Sequence, residues 1–451
     1  MATSRYINQN NQKAKSLDSK WLFPFLIAFF FGLGAAFSVG TFDYGRIFAV
    51  ALAVITLLLN VNDAFCLIVF AFPFTSMLKF TVDTISILPI LYLIITLKII
   101  SKNKLSIPPN SLLCVCAFAV LQALGILLYE TLFFKIISIL LCTCFVLFVS
   151  NYAIDNRDTT QRLLPKASLS FAMGTTLMLL LSDIFPHLPT LVHPNAASME
   201  TAKRYAATVI DPNELAQIIL IAIGLLIAVM PSFKSMFAKL LAMAMIVYMG
   251  LTGIRTNSKS YAIALVALFV FLMAVYIRIS AKEKGAGNTL LKLLPVLLIT
   301  AIGFILMFQH IVIPIFEARS QEQAGFWTNR DTLWVRYVNA LLHRFDVLLV
   351  GCGAGNVTSV IRLAGGSATG VPHNTYLEYI IQFGVIGLIL LFTAWKKALA
   401  SIKEKLSTYY VIALAAFLIT AFGISVNDND CLFILLALLS LPAPPETSTI
   451  K

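Results

Sequence analysis

Charge is what this chain has least of. Asp, Glu, Lys and Arg together make up 12% of 451 residues, and the mean hydropathy is +0.89. So little charge excludes a soluble fold and predicts an all-α polytopic membrane protein. Acid is scarcer than base, with 21 Asp and Glu against 33 Lys and Arg, a net charge of +12. Long polar linkers are nearly absent. Those at 98–110, 151–166, 278–292 and 396–405 are too short for an ATP-binding domain, and no Gly-Lys-Ser/Thr phosphate loop occurs. Energy must therefore arrive with the substrate or from an ion gradient. Metal-binding patterns are missing as well. Neither Cys114 and Cys116 nor Cys142 and Cys144 have zinc-ligand spacing, and there is no HExxH and no close histidine pair. Of seven cysteines, only Cys352 lies in the largest polar segment, so that segment holds no internal disulfide.

What the chain does have is membrane-length apolar runs. Residues 1–20 read as a polar cytoplasmic tail, 21–442 as one multi-pass domain and 443–451 as a C-terminal tail. Candidate spans fall at about 21–40, 45–60, 64–78, 84–100, 111–128, 132–150, 164–183, 210–230, 236–252, 260–278, 292–310, 374–394, 409–425 and 431–442. Several are short, and the second and third read as a broken pair, which gives 12–14 transmembrane helices. With the N-terminus inside, the cytoplasmic segments carry 21 of the 33 basic residues but only seven of the 21 acids. That is the positive-inside pattern, and it assigns the net charge to topology and lipid contact, with no nucleic acid.

Among the outward-facing segments three stand out. One, at about 182–210, carries three prolines and Arg204, and leads into Asp211-Pro212-Asn213-Glu214, where Asp211 reads as a helix N-cap. A second is a short turn, Thr252-Gly253-Ile254-Arg255, continuing to Lys259. The third, 311–373, is a large extracytoplasmic loop. Within it, residues 331–345 place Trp334, Tyr337, Val338, Leu341 and Phe345 at helical spacing, which predicts an amphipathic helix lying like a lid. Gly351-Cys352-Gly353-Ala354-Gly355-Asn356 reads as a flexible turn, because no βαβ context surrounds it. Asp428-Asn429-Asp430 imitates a nucleotide-sugar metal motif but reads as a polar hairpin in a very short outer loop.

The loop ends at Pro372-His373-Asn374-Thr375-Tyr376-Leu377-Glu378, opening a new apolar helix. A histidine there is surface or capping in the ordinary reading. At the positive end of a helix dipole its ring stays neutral, and a neutral imidazole accepts a proton from a hydroxyl. Arg204, Arg255 and Arg330 come from three outward segments. Arginine near a membrane is costly unless it meets an anion, and its planar fork suits a diphosphate.

Taken in order, these pieces resemble the O-antigen ligase and O-antigen/capsule polymerase superfamily of bacterial membrane glycosyltransferases. They are Arg204 with Asp211 and Asn213, Thr252-Gly253-x-Arg255, Arg330 before an aromatic amphipathic helix with Trp334, the Gly-x-Gly-x-Gly-Asn turn, and His373-Asn374-x9-Gly384-x-x-Gly387. Two departures stand out: Ile254 where the family often has serine, and Asn329 before Arg330 where Ser or Gly is usual. The resemblance implies metal-independent, cofactor-free, inverting glycosyl transfer outside the bacterial cytoplasmic (inner) membrane. The donor would be an undecaprenyl-pyrophosphate-linked glycan. Arg204, Arg255 and Arg330 would hold the pyrophosphate and His373 would be the base, with Asn374, Glu378, Asp211, Asn213 and Lys259 in support. The acceptor stays open: another lipid-linked repeat unit (a polymerase, with a chain-length regulator protein as a possible partner), lipid A-core (a ligase), or Ser/Thr of a protein. A flippase or other transporter is the rival from a different class.

Overall fold

The computed structural model describes residues 43–75, 87–102, 107–129, 133–185, 205–207, 209, 211–284, 302–303, 305–306, 308–315, 317, 330–366, 370–406, 408–425 and 431–443. The expected span at 21–40, most of the span at 292–310, both tails, Arg204 and the 428–430 hairpin lie outside them. Among the described residues there is helix and no strand.

The chain is an all-α polytopic membrane protein. Seven described helices are long and apolar enough to cross a membrane, and five shorter apolar helices accompany them. In chain order they are α1 (Asp43–Leu58), α2 (Val61–Ala71), α3 (Leu88–Lys102), α4 (Pro109–Tyr129), α5 (Phe133–Asp155) and α6 (Leu163–Ile184). Then follow α7 (Pro212–Val229), α8 (Met236–Arg255) and α9 (Lys259–Lys284). The loop contributes α10 (Arg330–His343), α11 (Phe345–Val350) and α12 (Ser359–Leu363). Last come α13 (Thr375–Ala394), α14 (Lys396–Lys405), α15 (Val411–Thr420) and α16 (Cys431–Ser440). The boundaries fall within a few residues of the apolar runs, because in lipid the backbone must satisfy itself and only a helix of the run's own length does so.

At the centre stands α7. From Ile218 to Val229 its side chains are apolar all round, and nearly all of the helix is buried, which a helix tolerates only when other helices surround it. It packs against α6, α8, α9 and α15. Toward α15, Gln217 Nε2 donates to Thr420 Oγ1 at 2.9 Å. Asp211 caps the helix as its sequence position predicts, accepting from the Asn213 N–H at 2.8 Å. The chain between α1 and α2 turns at Asn60, which caps α2. The Thr252–Arg255 segment is the last turn of α8, and the turn proper is Thr256–Ser258, with Asn257 in the left-handed region.

The loop has a small core of its own. Tyr337, Ala340 and Leu341 of α10 pack with Val347, Cys352, Val357, Val360, Ile361 and Ile381. The amphipathic helix is therefore not a free lid: Tyr337 and Leu341 point into this core, while Val338 and Phe345 of the same expected face are exposed.

The glycine turn departs most from expectation. It is a docking clamp rather than a flexible segment. Helix α13 breaks at Gly384, whose φ of 64° and ψ of 173° belong to glycine alone. The break frees two carbonyls, and the turn takes both: Cys352 N–H donates to Ile381 O at 2.8 Å and Gly353 N–H to Gln382 O at 2.9 Å. Gln122 Oε1 on α4 and Gln382 Oε1 accept the N–H groups of Ala354 and Gly355. A Cβ on Gly384 would sit 2.4 Å from Leu349 O, and one on Gly351 2.4 Å from Gln382 O. Gly384→Ala is therefore expected to undock the loop and lower the thermal midpoint of the detergent-purified protein. The strain alone is worth about 1–3 kcal/mol. Gly250→Ala, in α8 with nothing within 4 Å, is the control and should melt as wild type does. Equal melting of both variants would contradict the clamp.

Candidate active site

The loop core sets the backbone that carries His373. From α10, Trp334 Nε1 donates to Pro372 O at 2.7 Å, and Tyr337 OH donates to Gly370 O at 2.6 Å. Two carbonyls just before the histidine are thus held by one helix. His373 itself takes φ 49°, a left-handed conformation that is costly for a residue with a side chain and recurs where geometry is enforced for function. The next residue, Asn374, caps α13: its Oδ1 accepts from the N–H groups of Tyr376 and Leu377, both at 3.1 Å. Capping therefore falls to Asn374 and not to His373. Thr375 Oγ1 donates to Ile424 O at 2.9 Å, which ties the start of α13 to the end of α15.

That tie brings in a residue the sequence reading missed. Ser425 Oγ lies 3.0 Å from His373 Nδ1 and donates to Glu378 Oε1 at 2.8 Å. Glu378, in the first turn of α13, is fully buried. Nothing in the sequence pairs residues 52 apart at the end of an apolar run. A serine following Gly423 at the loop-side end of that run is the only hint.

Arg330, the first residue of α10, donates from Nη1 to Gly423 O at 3.0 Å. It stands close enough to act on His373. Burial and the Arg330 charge lower the imidazole pKa from its ordinary value of 6.5, against a smaller opposing pull from Asp211. Both causes favour the neutral ring, burial the more, where the sequence points to the helix dipole. Arg330 and Asp211 thus act on His373 through their charges, and Ser425 links it by hydrogen bonds to Glu378.

Arg255 is placed differently. Its Nη1 pairs with Asp183 Oδ1 of α6 at 2.7 Å, and its guanidinium lies 4.0 Å over the ring of Tyr205. Tyr248 OH also donates to Asp183, at 2.8 Å. Tyr205 N–H donates to Arg255 O at 3.1 Å, so the residue beside Arg204 is stapled to Arg255. The Arg255 side chain remains half exposed. Its acid partner, Asp183, went unnoticed in the sequence, where the only signal is an acid at the very end of a span.

The remaining supporting candidates, and two further arginines of the loop, Arg344 and Arg362, sit as follows. Asn213 is buried, donates to Asp211 Oδ1 at 2.9 Å and accepts from Ser258 Oγ at 2.7 Å, which locks α7 to the α8–α9 turn. Lys259 follows as the first residue of α9. Arg344 is forked onto Asp346, at 2.6 and 2.9 Å, and Arg362 donates to Ser359. Among the described residues no three His, Cys, Asp or Glu side chains cluster as metal ligands.

Residues 244–392 match the family model described as O-antigen ligase. Over that third of the chain the protein is similar to the O-antigen ligase family, which supports a relation to the O-antigen ligase/polymerase superfamily. The matched segment runs from α8 through α13 and includes Arg255, Arg330, His373 and Glu378. Asp183, Asp211 and Ser425 lie outside it. No curated protein matches the chain. The match supports glycosyl transfer of the ligase/polymerase type at the family level, and the apolar helices are those of a multi-pass membrane protein.

Proposed function

We propose that the chain polymerises a surface polysaccharide on the outer side of the bacterial cytoplasmic membrane, without a metal. The donor is a glycan on undecaprenyl pyrophosphate and the acceptor is a sugar hydroxyl on a second lipid-linked unit. His373 Nε2 takes the hydroxyl proton. The acceptor oxygen forms a bond to the anomeric carbon from the face opposite the leaving group. The anomeric carbon–phosphate oxygen bond breaks, and its electron pair leaves with undecaprenyl pyrophosphate, so the linkage inverts. Arg330, with Arg255 and Arg204, carries the negative charge that grows on the departing pyrophosphate, which is electrostatic transition-state stabilisation in a partly dry site.

The observation that carries this reading is that the charge of Arg330 acts on a half-buried His373. A strained, half-buried, neutral imidazole stands beside a guanidinium, inside the segment that matches the O-antigen ligase family. A neutral base and a fixed cation are the two groups this transfer needs. Ligation onto lipid A-core uses the same chemistry and differs only in the acceptor. Supplying lipid A-core beside lipid-linked units separates the two: a polymerase extends the lipid-linked glycan and leaves the core unmodified.

The reading requires the 311–373 loop to face outward. Single cysteines placed at exposed loop positions such as Val335 and Leu342 should react with a membrane-impermeant maleimide on intact spheroplasts. The basic linker at 396–405 should react only after permeabilisation. Loop labelling that needs permeabilisation would sink the mechanism.

A further inference from the structure

We propose that Ser425 is a positioning residue that fixes the tautomer of His373, passing the influence of the buried Glu378 carboxylate to the imidazole through a single hydroxyl. The inference rests on His373 acting as the base, and goes beyond it by naming what makes the correct nitrogen available.

The argument is one of hydrogen counting. A serine hydroxyl has one hydrogen and two acceptor sites. Ser425 Oγ lies 2.8 Å from Glu378 Oε1 and 3.0 Å from His373 Nδ1. A carboxylate has no hydrogen to give, so the hydroxyl hydrogen goes to Glu378, and this charge-assisted bond is the stronger of the two. The 3.0 Å contact must then run the other way, from Nδ1–H to Oγ. The proton therefore sits on Nδ1, and Nε2 keeps its lone pair. When Nε2 takes a proton, Nδ1–H stays bonded, and the new imidazolium is stabilised through the hydroxyl by Glu378.

The elements place these groups independently of one another. His373 precedes α13, Glu378 is one turn inside it, and Ser425 follows α15. The bond from Thr375 to Ile424 brings the two segments into register. Among the described groups, Arg330 on α10 and Asp211 before α7 act electrostatically on His373, and Tyr337 on α10 interacts with Glu378. Arg330 opposes charging of the ring, so the relay to Glu378 offsets a cost that Arg330 imposes. The alternative wiring needs a protonated Glu378 donating to Oγ, and Oγ–H donating to Nδ1. It leaves Nε2–H facing the acceptor, where it cannot take a proton.

Nitrogen NMR of protein labelled at histidine, in liposomes at neutral pH, reads the tautomer directly. With His373 assigned by difference from His373→Ala, the wild type should show Nδ1–H. Ser425→Ala should shift the ring toward Nε2–H and lower kcat on the order of 10–100-fold, as loss of an orienting partner does for metal-bound histidines. The donor KM should stay unchanged. Ser425→Thr keeps a hydroxyl and should recover both the tautomer and most of the rate. Glu378→Gln combined with Ser425→Ala should cost little more than Ser425→Ala alone. An Nε2–H wild-type spectrum overturns the proposal whatever the variants do. So does Ser425→Ala with an unaltered spectrum and unaltered kcat. If His373→Ala is inactive while Ser425→Ala is not impaired, the relay fails and the base stands. If His373→Ala is fully active, the base reading itself fails.

Discussion

His373→Asn is expected to yield no polysaccharide from a protein that still folds and inserts. The substitution is chosen because asparagine is among the best N-capping residues and tolerates a left-handed backbone. Had His373 served only to open α13, Asn would replace it without loss. In the structure the capping oxygen belongs to Asn374, so the histidine side chain is left for another task. Removing a general base costs roughly 10²–10⁴ in rate. Polymer should therefore vanish from cells complemented with the variant, while size-exclusion profiles of the purified protein match wild type. Polymer at wild-type levels from His373→Asn would mean that no base acts at this position. The acid limb of the wild-type rate follows from the same side chain. Only the neutral ring accepts a proton, and the folded pKa lies below 6.5. The rate should stay level down through neutrality, and its acid limb should lie at lower pH than that of an unperturbed histidine.

Arg330 should separate charge from shape. Arg330→Gln removes the cation that lowers the His373 pKa, so the acid limb should move to higher pH. Arg330→Lys keeps the charge and should leave the limb in place. Both substitutions lose the planar fork that binds two phosphate oxygens at once. Both should therefore reduce kcat/KM for the lipid-linked donor, on the order of 10²–10³-fold if Arg330 stabilises the leaving pyrophosphate as a fixed donor does an oxyanion. The pH–rate profile of the three proteins checks the claim. A fully active Arg330→Lys would remove Arg330 from the pyrophosphate site. An unmoved limb in Arg330→Gln would remove its electrostatic hold on His373.

Local features of this fold were legible in the sequence, and distant ones were not. The apolar runs gave helices α1–α9, α13, α15 and α16 nearly to their ends, because a membrane helix is satisfied by its own backbone. The Asp211 cap was legible because the capping bond spans only two residues. The amphipathic helix α10 was legible in position but not in what it faces, since its core partners come from α11, α12 and α13. The glycine turn was misread for the same reason. Its rigidity comes from carbonyls freed at Gly384, about 30 residues away, and a backbone break carries no local pattern beyond a glycine. At the site, His373 and Arg330 stood out by residue type and setting. Ser425 did not, because a serine at a span end is ordinary until the fold lays it on an imidazole. Asp183 was hidden in the same way: only the packing of α6 beside α8 turns it into the counter-ion of Arg255.

The central claim is that this protein breaks a glycan–pyrophosphate bond and uses His373 to activate the attacking hydroxyl. The measurement closest to it uses purified protein in liposomes with undecaprenyl-pyrophosphate-linked repeat units as both donor and acceptor, and a chelator present. The account predicts a ladder of longer lipid-linked glycans, an inverted configuration at each new linkage, and one undecaprenyl pyrophosphate released per bond formed. With His373→Ala it predicts neither ladder nor release. Failure of the wild-type protein to consume the lipid-linked unit, or undiminished release from His373→Ala, would contradict it.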